Sequence, residues 1–174
     1  MNELQEAIYQ VIISIFKNKF LSKKFKIHDE YRGQKIIENS AIRYGILNYV
    51  AKYSLANDEY FISEKCFEYL TKQNLISDKG LLRGKKGTKY RFTFEHPVPS
   101  NIIADLLLKN FTDEVKLKNI LKETDIVTVL TYDEDEILNK SKLTSKMPSG
   151  WQIFQNNSFE RYTYAGINIP TRKI

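Results

Sequence analysis

The sequence predicts a mixed α/β fold (α+β), with a helical N-terminal half, a basic β-hairpin, and then strands that alternate with short helices. Three observations lead to this prediction. Apolar residues recur three and four positions apart through most of the first half, which is typical of amphipathic helices. Aromatic and polar residues alternate from Tyr90 to Phe94. An almost continuous apolar run of strand length follows Asp125.

Three helices are predicted in the first half, over about 2–20, 34–54 and 62–74, with a basic and aromatic irregular segment at about 21–32. The residues expected to face the core are Leu4, Ile8, Val11, Ile12, Ile15 and Phe16, then Ile36, Ile37, Ile46, Leu47 and Val50, and finally Ile62, Cys66, Phe67 and Leu70. Asn57-Asp58-Glu59 interrupts the apolar pattern after the second helix, and the polar segment from Asn74 to Gly80 follows the third.

A β-hairpin is predicted next. Leu81-Leu82-Arg83 leads into a turn with two glycines, Gly84-Lys85-Lys86-Gly87. In the returning strand, Tyr90, Phe92 and Phe94 alternate with Lys89, Arg91 and Thr93, which indicates a strand with one buried face.

The second half is expected to alternate helices and strands. Pro97 and Pro99 end the strand, and Ser100 is the expected N-cap of a helix. A short helix over about 113–123 precedes a strand over about 125–131 that should be covered on both faces. Thr131 and Glu134 have capping-box spacing and predict a helix over about 132–140, and residues 161–164 suggest a last short strand.

Composition limits the class of protein. The 174 residues suit a single mixed domain, with a sub-boundary near 96–100 as the alternative, which would separate a helical and hairpin lobe (1–96) from an α/β lobe (97–174). The net charge of +6 favours polyanionic partners such as nucleic acid. A single cysteine, Cys66, and the lack of a long apolar run predict a cytoplasmic protein without membrane contact.

The segment Glu95-His96-Pro97-Val98-Pro99 carries the main chemical signal. A histidine titrates near neutral pH, and His96 is one of only two in the chain. An acid before a histidine at a strand end, with proline three residues later, resembles the opening of HNH-type (ββα-metal) nucleases. The resemblance implies that His96 activates water, that Glu95 binds a divalent metal (Mg²⁺ or Mn²⁺), and that Asn119 is a further ligand or orients His96.

A structural alternative stays open for the same residues: His96 bonds a backbone carbonyl at a strand-to-helix corner, and Glu95 pairs with a lysine or arginine. Two other acidic patterns have structural explanations. Glu114-Val115-Lys116, which with Asp105 has the spacing of another nuclease motif, lies in helical periodicity. The acidic run 133–136 suits a helix N-terminus. No Walker loop, zinc-spaced Cys/His set or nucleophile elbow is present in the sequence.

The hairpin carries a cluster of positive charge that could follow a phosphate backbone. Its cations are Arg83, Lys85, Lys86, Lys89 and Arg91. The order of a helix, then a basic hairpin over residues 34–94 resembles a winged-helix domain, which implies that the 62–74 helix enters the major groove and the hairpin forms the wing. The structural alternative is a solvated sheet edge protected by lysines.

The favoured hypothesis is a small metal-dependent endonuclease with a histidine general base and a basic hairpin that grips phosphates. The alternatives are a non-enzymatic, winged-helix-like nucleic-acid-binding regulator and a phage or mobile-element protein that binds and inhibits a host nucleic-acid enzyme. Without a nuclease activity, no cofactor is expected.

Overall fold

The computed structural model describes residues 1–17, 41–57, 59–77, 80–81, 92–169 and 173. These residues confirm a mixed α/β protein with a helix-rich N-terminal half. Its elements in chain order are α1 (Glu3–Lys17), α2 (Ala41–Leu55), β1 (Phe61–Ile62), α3 (Glu64–Lys72), β2 (Ile76–Ser77), β3 (Gly80–Leu81), β4 (Phe92–Glu95), α4 (Ser100–Lys109), α5 (Glu114–Glu123), β5 (Thr128–Thr131), α6 (Tyr132–Lys140) and α7 (Glu160–Tyr164).

The chain forms two compact units, each built from two segments. The first unit comprises Met1–Asn57 and Ser100–Asp125, and the second comprises Asp58–Pro99 and Ile126–Ile174. The described part of the first unit is helical, whereas the second combines strands with helices. The chain passes from the second unit back to the first between Pro99 and Ser100.

The first unit is a helical assembly in which α1 packs on α2, α2 on α4, and α4 on α5. Residues fully removed from solvent on each helix, including Ile12, Ile46, Leu107 and Ile120, form its core. As predicted, Ile46 and Val50 of α2 point inward, whereas the prediction was wrong for Leu4 and Val11 of α1, which are exposed. Ile36 and Ile37 lie outside the described residues. The Asp113 carboxylate accepts the Lys116 N–H and thereby caps α5.

A reciprocal capping arrangement begins α1. The Gln5 N–H donates to the Asn2 side chain at 2.9 Å, and the Asn2 N–H donates to the Gln5 side chain at 3.0 Å. The Gln5 amide nitrogen also donates to the Tyr53 carbonyl at 3.3 Å and to the Asp125 carboxylate at 2.8 Å. The buried Gln5 side chain therefore joins the start of α1 to the end of α2, through Tyr53, and to the segment after α5, through Asp125.

A three-stranded sheet organises the second unit, in the order β1-β5-β4. The central strand β5 runs parallel to β1 and antiparallel to β4. All four residues of β5 are buried, which confirms the prediction of a strand covered on both faces. One face packs on α3 through Ile62, Cys66, Leu70 and Val129. Leu130 packs with Leu138, Leu143 and Tyr162 on the other face.

One carboxylate joins the ends of β1 and β5. Glu134 Oε2 accepts hydrogen bonds from Ser63 Oγ at 2.7 Å and from the Thr131 backbone N–H at 2.8 Å. Ser63 caps α3, and Thr131 caps α6 through the predicted capping box. The same box explains why α6 spans residues 132–140 as the sequence predicted, and why Glu134 is buried within the acidic run.

The predicted strand at 161–164 is wrong, because these residues form α7. Two buried residues, Arg161 and Tyr162, are followed by two exposed ones, which is helical rather than alternating burial. The Ile167 N–H donates to the Tyr162 carbonyl at 2.8 Å, and Gly166 adopts the positive φ of 73° that ends the helix.

Smaller corrections concern helix and strand ends. Ile62 belongs to β1 and not to the third helix, which begins after its Ser63 cap. The four residues of β4 are all half-buried, so the expected contrast between a buried and an exposed face is absent there. Over the described ranges, no helix combines the length and apolarity needed to cross a bilayer.

The basic hairpin lies largely outside the described residues, including all five of its cations. Its first predicted residue, Leu81, pairs in β3 with Ile76 of β2. The described end of its second strand, β4, pairs with β5. The sheet that contains β1 and β4 also includes β5, which lies between them and outside the 34–94 segment that resembles a winged-helix domain.

Candidate active site

The pleat of β4 sends its aromatic and acidic residues to opposite faces of the sheet. Phe92 and Phe94 pack with the α3 side of the core. Glu95 lies opposite Thr128 in the antiparallel register, and its side chain reaches Arg161 of α7. The alternating sequence pattern predicted that one face of this strand is polar. On that face the Glu95 side chain contacts the buried guanidinium of Arg161.

Arg161 is the centre of this face and has no exposed surface. Its Nη2 atom donates to Glu95 Oε2 at 2.6 Å and to the backbone carbonyl of His96. Its Nη1 atom donates to the carbonyls of Leu143 at 2.8 Å and Thr144 at 3.1 Å. One guanidinium thus fixes the end of β4 and the segment that follows α6, and it balances the charge of Glu95.

Two opposing effects act on the pKa of the Glu95 carboxyl. Burial raises the pKa of its carboxyl above the ordinary value, while the charge and hydrogen bond of Arg161 oppose this rise. The Arg161 Nη2 atom lies 2.6 Å from the Glu95 Oε2 atom, and a guanidinium at hydrogen-bond distance favours the charged form of a carboxyl. The structural alternative for Glu95, a pair with an arginine, matches this geometry.

His96 is half-buried at the corner that follows β4, directly before the buried segment Pro97-Val98-Pro99. Burial, reinforced by the positive charge of Arg161, lowers its pKa to about 4. The imidazole is therefore neutral at physiological pH. Its Nε2 atom is buried and has no hydrogen-bond partner among the described residues. The backbone carbonyl of His96 accepts a hydrogen bond from Arg161, whereas its Nε2 atom has no hydrogen-bond partner among the described residues.

Buried polar atoms concentrate around this corner. Thr128 Oγ1, Arg161 Nε and Tyr162 Oη are buried, and the side chains of Arg161 and Thr128 both interact with the Tyr162 hydroxyl. Burial raises the pKa of the Tyr162 phenol well above its ordinary value, so the hydroxyl keeps its proton. Buried polar atoms are nearly always paired in folded proteins, so the unpaired Nε2 atom of His96 is the exception among these neighbouring groups.

The predicted residues are only partly brought together. Glu95 and His96 are adjacent in the second unit, whereas Asn119 is an exposed residue of α5 in the first unit. The cations at 83–91 lie outside the described residues. Glu114 and Lys116 lie in the first turn of α5, as their helical periodicity indicated. Cys66 is fully buried, and burial raises the pKa of its thiol to about 12, so it serves packing.

The side chains near Glu95 do not fit a divalent metal site. The Glu95 carboxylate is already bonded to a guanidinium, which competes with a metal ion for its Oε2 atom. In the described ranges, no three His, Cys, Asp or Glu side chains are arranged to hold a metal ion. The Mg²⁺ or Mn²⁺ expected from the nuclease resemblance stays a prediction.

The sequence did not identify Arg161, Thr128 or Tyr162 as site residues. Arg161 lies 66 positions from Glu95, and Tyr162 was assigned to a strand. The sequence carries no local signal for Arg161, because its acceptors are Glu95, the His96 carbonyl and the carbonyls of residues 143 and 144. Searches with protein-family models, and against curated proteins and solved structures, found no match to this chain.

Proposed function

We propose that the second unit hydrolyses phosphodiester bonds of nucleic acid and that His96 is the general base. The observation that carries this proposal is the buried, unpaired Nε2 atom of a neutral imidazole held at a fixed corner. A general base must be unprotonated and within reach of the proton it takes. His96 meets the first condition across the whole physiological pH range.

The reaction requires one proton transfer from the attacking group. A water molecule gives a proton to His96 Nε2, its oxygen forms a bond to phosphorus, the bond to the leaving oxygen breaks, and that oxygen takes up a proton from the imidazolium or from solvent water. Arg161 acts as a positioning residue, because its donors hold the His96 backbone and the Glu95 carboxylate.

Charge supports a polyanionic substrate. The chain carries a net charge of +6, and five of its cations fall within the nine residues from Arg83 to Arg91. Such a cluster contributes affinity for phosphates that weakens with salt. The proposal routes no step through a metal ion, so the assay has to compare metal-free and metal-containing conditions.

The test is cleavage of supercoiled plasmid, single-stranded DNA and single-stranded RNA, with EDTA, Mg²⁺ or Mn²⁺. Wild type is compared with His96→Gln and with His28→Gln, which alters the only other histidine. We expect His96→Gln to lower the cleavage rate at least about a hundredfold, while His28→Gln cleaves like wild type. Asn119→Ala in the Mg²⁺ arm tests the expected metal ligand.

The remaining outcomes distinguish the other hypotheses. Salt-sensitive binding without cleavage, equal in wild type and His96→Gln, would replace the enzyme with a nucleic-acid-binding regulator. Neither cleavage nor binding would favour a protein partner, such as a host nucleic-acid enzyme. In both cases His96 would be a structural corner.

A further inference from the structure

A cleft lined by aromatic rings opens in the second unit, with a volume of about 590 Å³. We name it the aromatic cleft. Its aromatic walls are Phe61, Phe159 and Tyr162, and its other lining residues are Asn157, Thr163, Gly166, Ile167, Asn168 and Ile169. The volume lies within the range of small-molecule sites, which is about 300–1,000 Å³.

The aromatic rings of the cleft pack against one another. Phe61 and Phe159 meet edge to face, with centroids 5.0 Å apart and planes at 66°. Phe159 is also tilted against Tyr162 at 6.2 Å. In an edge-to-face pair, the edge of one ring contacts one face of the other ring. The opposite face of that second ring points away from the pair. Preformed aromatic walls of this kind suit a flat ring that enters and stacks.

The aromatic cleft adjoins the candidate active site through α7. Tyr162 lines the cleft, and the guanidinium carbon of Arg161 lies 5.0 Å from the centre of the Tyr162 ring. Arg161 in turn holds Glu95 and the His96 backbone. Tyr162 itself has no exposed surface, so the rings open to a ligand in the cleft are those of the half-buried Phe61 and Phe159.

Polar groups stand at the rim. Asn157, Thr163 and Asn168 are exposed lining residues that carry amide or hydroxyl groups. The Asn157 side-chain oxygen accepts the Phe159 N–H at 2.9 Å, which leaves its amide N–H₂ group as a donor at the rim. Aromatic walls with a few donors and acceptors are what a nucleobase requires, since it has both a π-face and a polar edge.

We propose that the aromatic cleft binds one base of a single-stranded nucleic acid whose backbone is presented to His96. This inference rests on the proposed function, because it names the form of its substrate. A base within a duplex is stacked on both sides and cannot enter a cleft unless it is flipped out. Single strands and unpaired loops should therefore be preferred over continuous duplex.

The experiment measures binding of a short labelled single strand by fluorescence anisotropy in the His96→Gln background, which keeps the strand intact. Phe159→Leu removes an aromatic wall, and Thr163→Trp fills the cleft from its exposed rim. Tyr164→Leu is the matched control, because Tyr164 lies on the same helix, is 74% exposed and does not line the cleft. Thermal unfolding of each variant checks that the fold is retained.

We expect Phe159→Leu and Thr163→Trp to weaken binding about tenfold, since loss of one base–aromatic stack has effects of this order. Tyr164→Leu should bind normally, and a matched duplex should bind less well than the single strand. Equal binding by all three variants would overturn the proposal, as would a preference for duplex.

The two proposals fail in different ways. If the wild-type protein cleaves nothing but the cleft variants still lose affinity, the nuclease is refuted and the cleft remains a base-binding site. If the wild type cleaves single strands and the cleft variants bind and cleave normally, the nuclease stands and the cleft is refuted. Comparison of wild-type cleavage with variant binding therefore decides each question separately.

Discussion

Two half-buried carboxyl groups, one in each unit, show different ways of placing an acid in the interior of this protein. Asp125 accepts the neutral Gln5 amide at 2.8 Å, whereas Glu95 accepts the Arg161 guanidinium at 2.6 Å. Burial raises the pKa of both carboxyls. The Asp125 contact belongs to a set of hydrogen bonds at the start of α1, while the Glu95 contact lies beside the unpaired ring nitrogen of His96.

The surroundings of the two carboxyl groups differ in how the neighbouring polar atoms are hydrogen-bonded. Around Gln5, side-chain and backbone groups pair with one another, and Asp125 Oδ1 is the one buried side-chain atom without a partner in the described part of the first unit. In the second unit, the unpaired His96 Nε2 atom lies beside the buried polar side chains of Arg161, Thr128 and Tyr162, which interact with one another. An unpaired buried group weakens a fold, so His96 is the residue of this site whose arrangement stability does not explain.

The largest expected effect comes from removing the cation of the second unit. Arg161→Met leaves the Glu95 carboxylate buried without a partner and frees three backbone carbonyls. We expect the free energy of unfolding to fall by about 4 kcal/mol, measured by urea denaturation. The double variant Arg161→Met with Glu95→Met should recover part of that loss. A single variant as stable as wild type would show that this ion pair contributes nothing.

A core truncation in the first unit gives the next effect. Ile12 has no exposed surface, whereas its neighbour Val11 is 39% exposed. Ile12→Ala should lower the free energy of unfolding by about 3 kcal/mol because it leaves a cavity, while Val11→Ala should change it by less than about 1 kcal/mol. Thermal unfolding of both variants tests this contrast, and equal losses would contradict the burial described for α1.

His96 makes a pH-dependent contribution. Its pKa is about 4 in the folded protein and ordinarily 6.5, so the unfolded chain binds more protons between these values. The contribution is fully present above pH 6.5 and is lost as the pH falls toward 4, by about 2 to 3 kcal/mol in total.

His96→Gln, which cannot gain a proton, should therefore show a flatter dependence of unfolding free energy on pH. Urea denaturation of both proteins at several pH values provides the comparison. Parallel curves over this interval would mean that His96 titrates normally in the folded state.

The smallest effect is expected at the start of α1. Gln5→Ala removes the reciprocal cap and the bonds to Tyr53 and Asp125, which should cost about 1 to 2 kcal/mol. Gln10→Ala on the same helix is the control, since Gln10 is exposed and bonds only Glu6. A similar loss in both variants would indicate a general effect of helix propensity and not of the cap.

Local signals explain which features could be predicted from sequence. The capping box of Thr131 and Glu134 and the apolar run before it lie within a few residues, so β5 and α6 followed directly from them. Glu95 and His96 were identified because their residue types at a strand end are chemically distinctive. In each case the deciding interactions are close in sequence.

Tertiary contacts explain what could not be predicted. Arg161 is buried because Glu95, His96 and the residues after α6 supply its acceptors, and no local pattern encodes that set. The aromatic and β-branched residues of 161–164 favour a strand by propensity, yet the burial of Arg161 and Tyr162 on adjacent positions requires a helix. Asn119 was chosen by spacing alone, and spacing does not report which compact unit a residue joins.

The shared carboxylate of Glu134 makes two helices depend on each other. Because one oxygen receives both Ser63 and Thr131, the first turn of α3 cannot open without loosening the cap of α6. The two helices therefore behave as one cooperative element during partial unfolding. Amide hydrogen exchange at their first turns should occur at matched rates, and Glu134→Gln should accelerate both together, although Ser63 and Glu134 are separated by 71 positions in the chain.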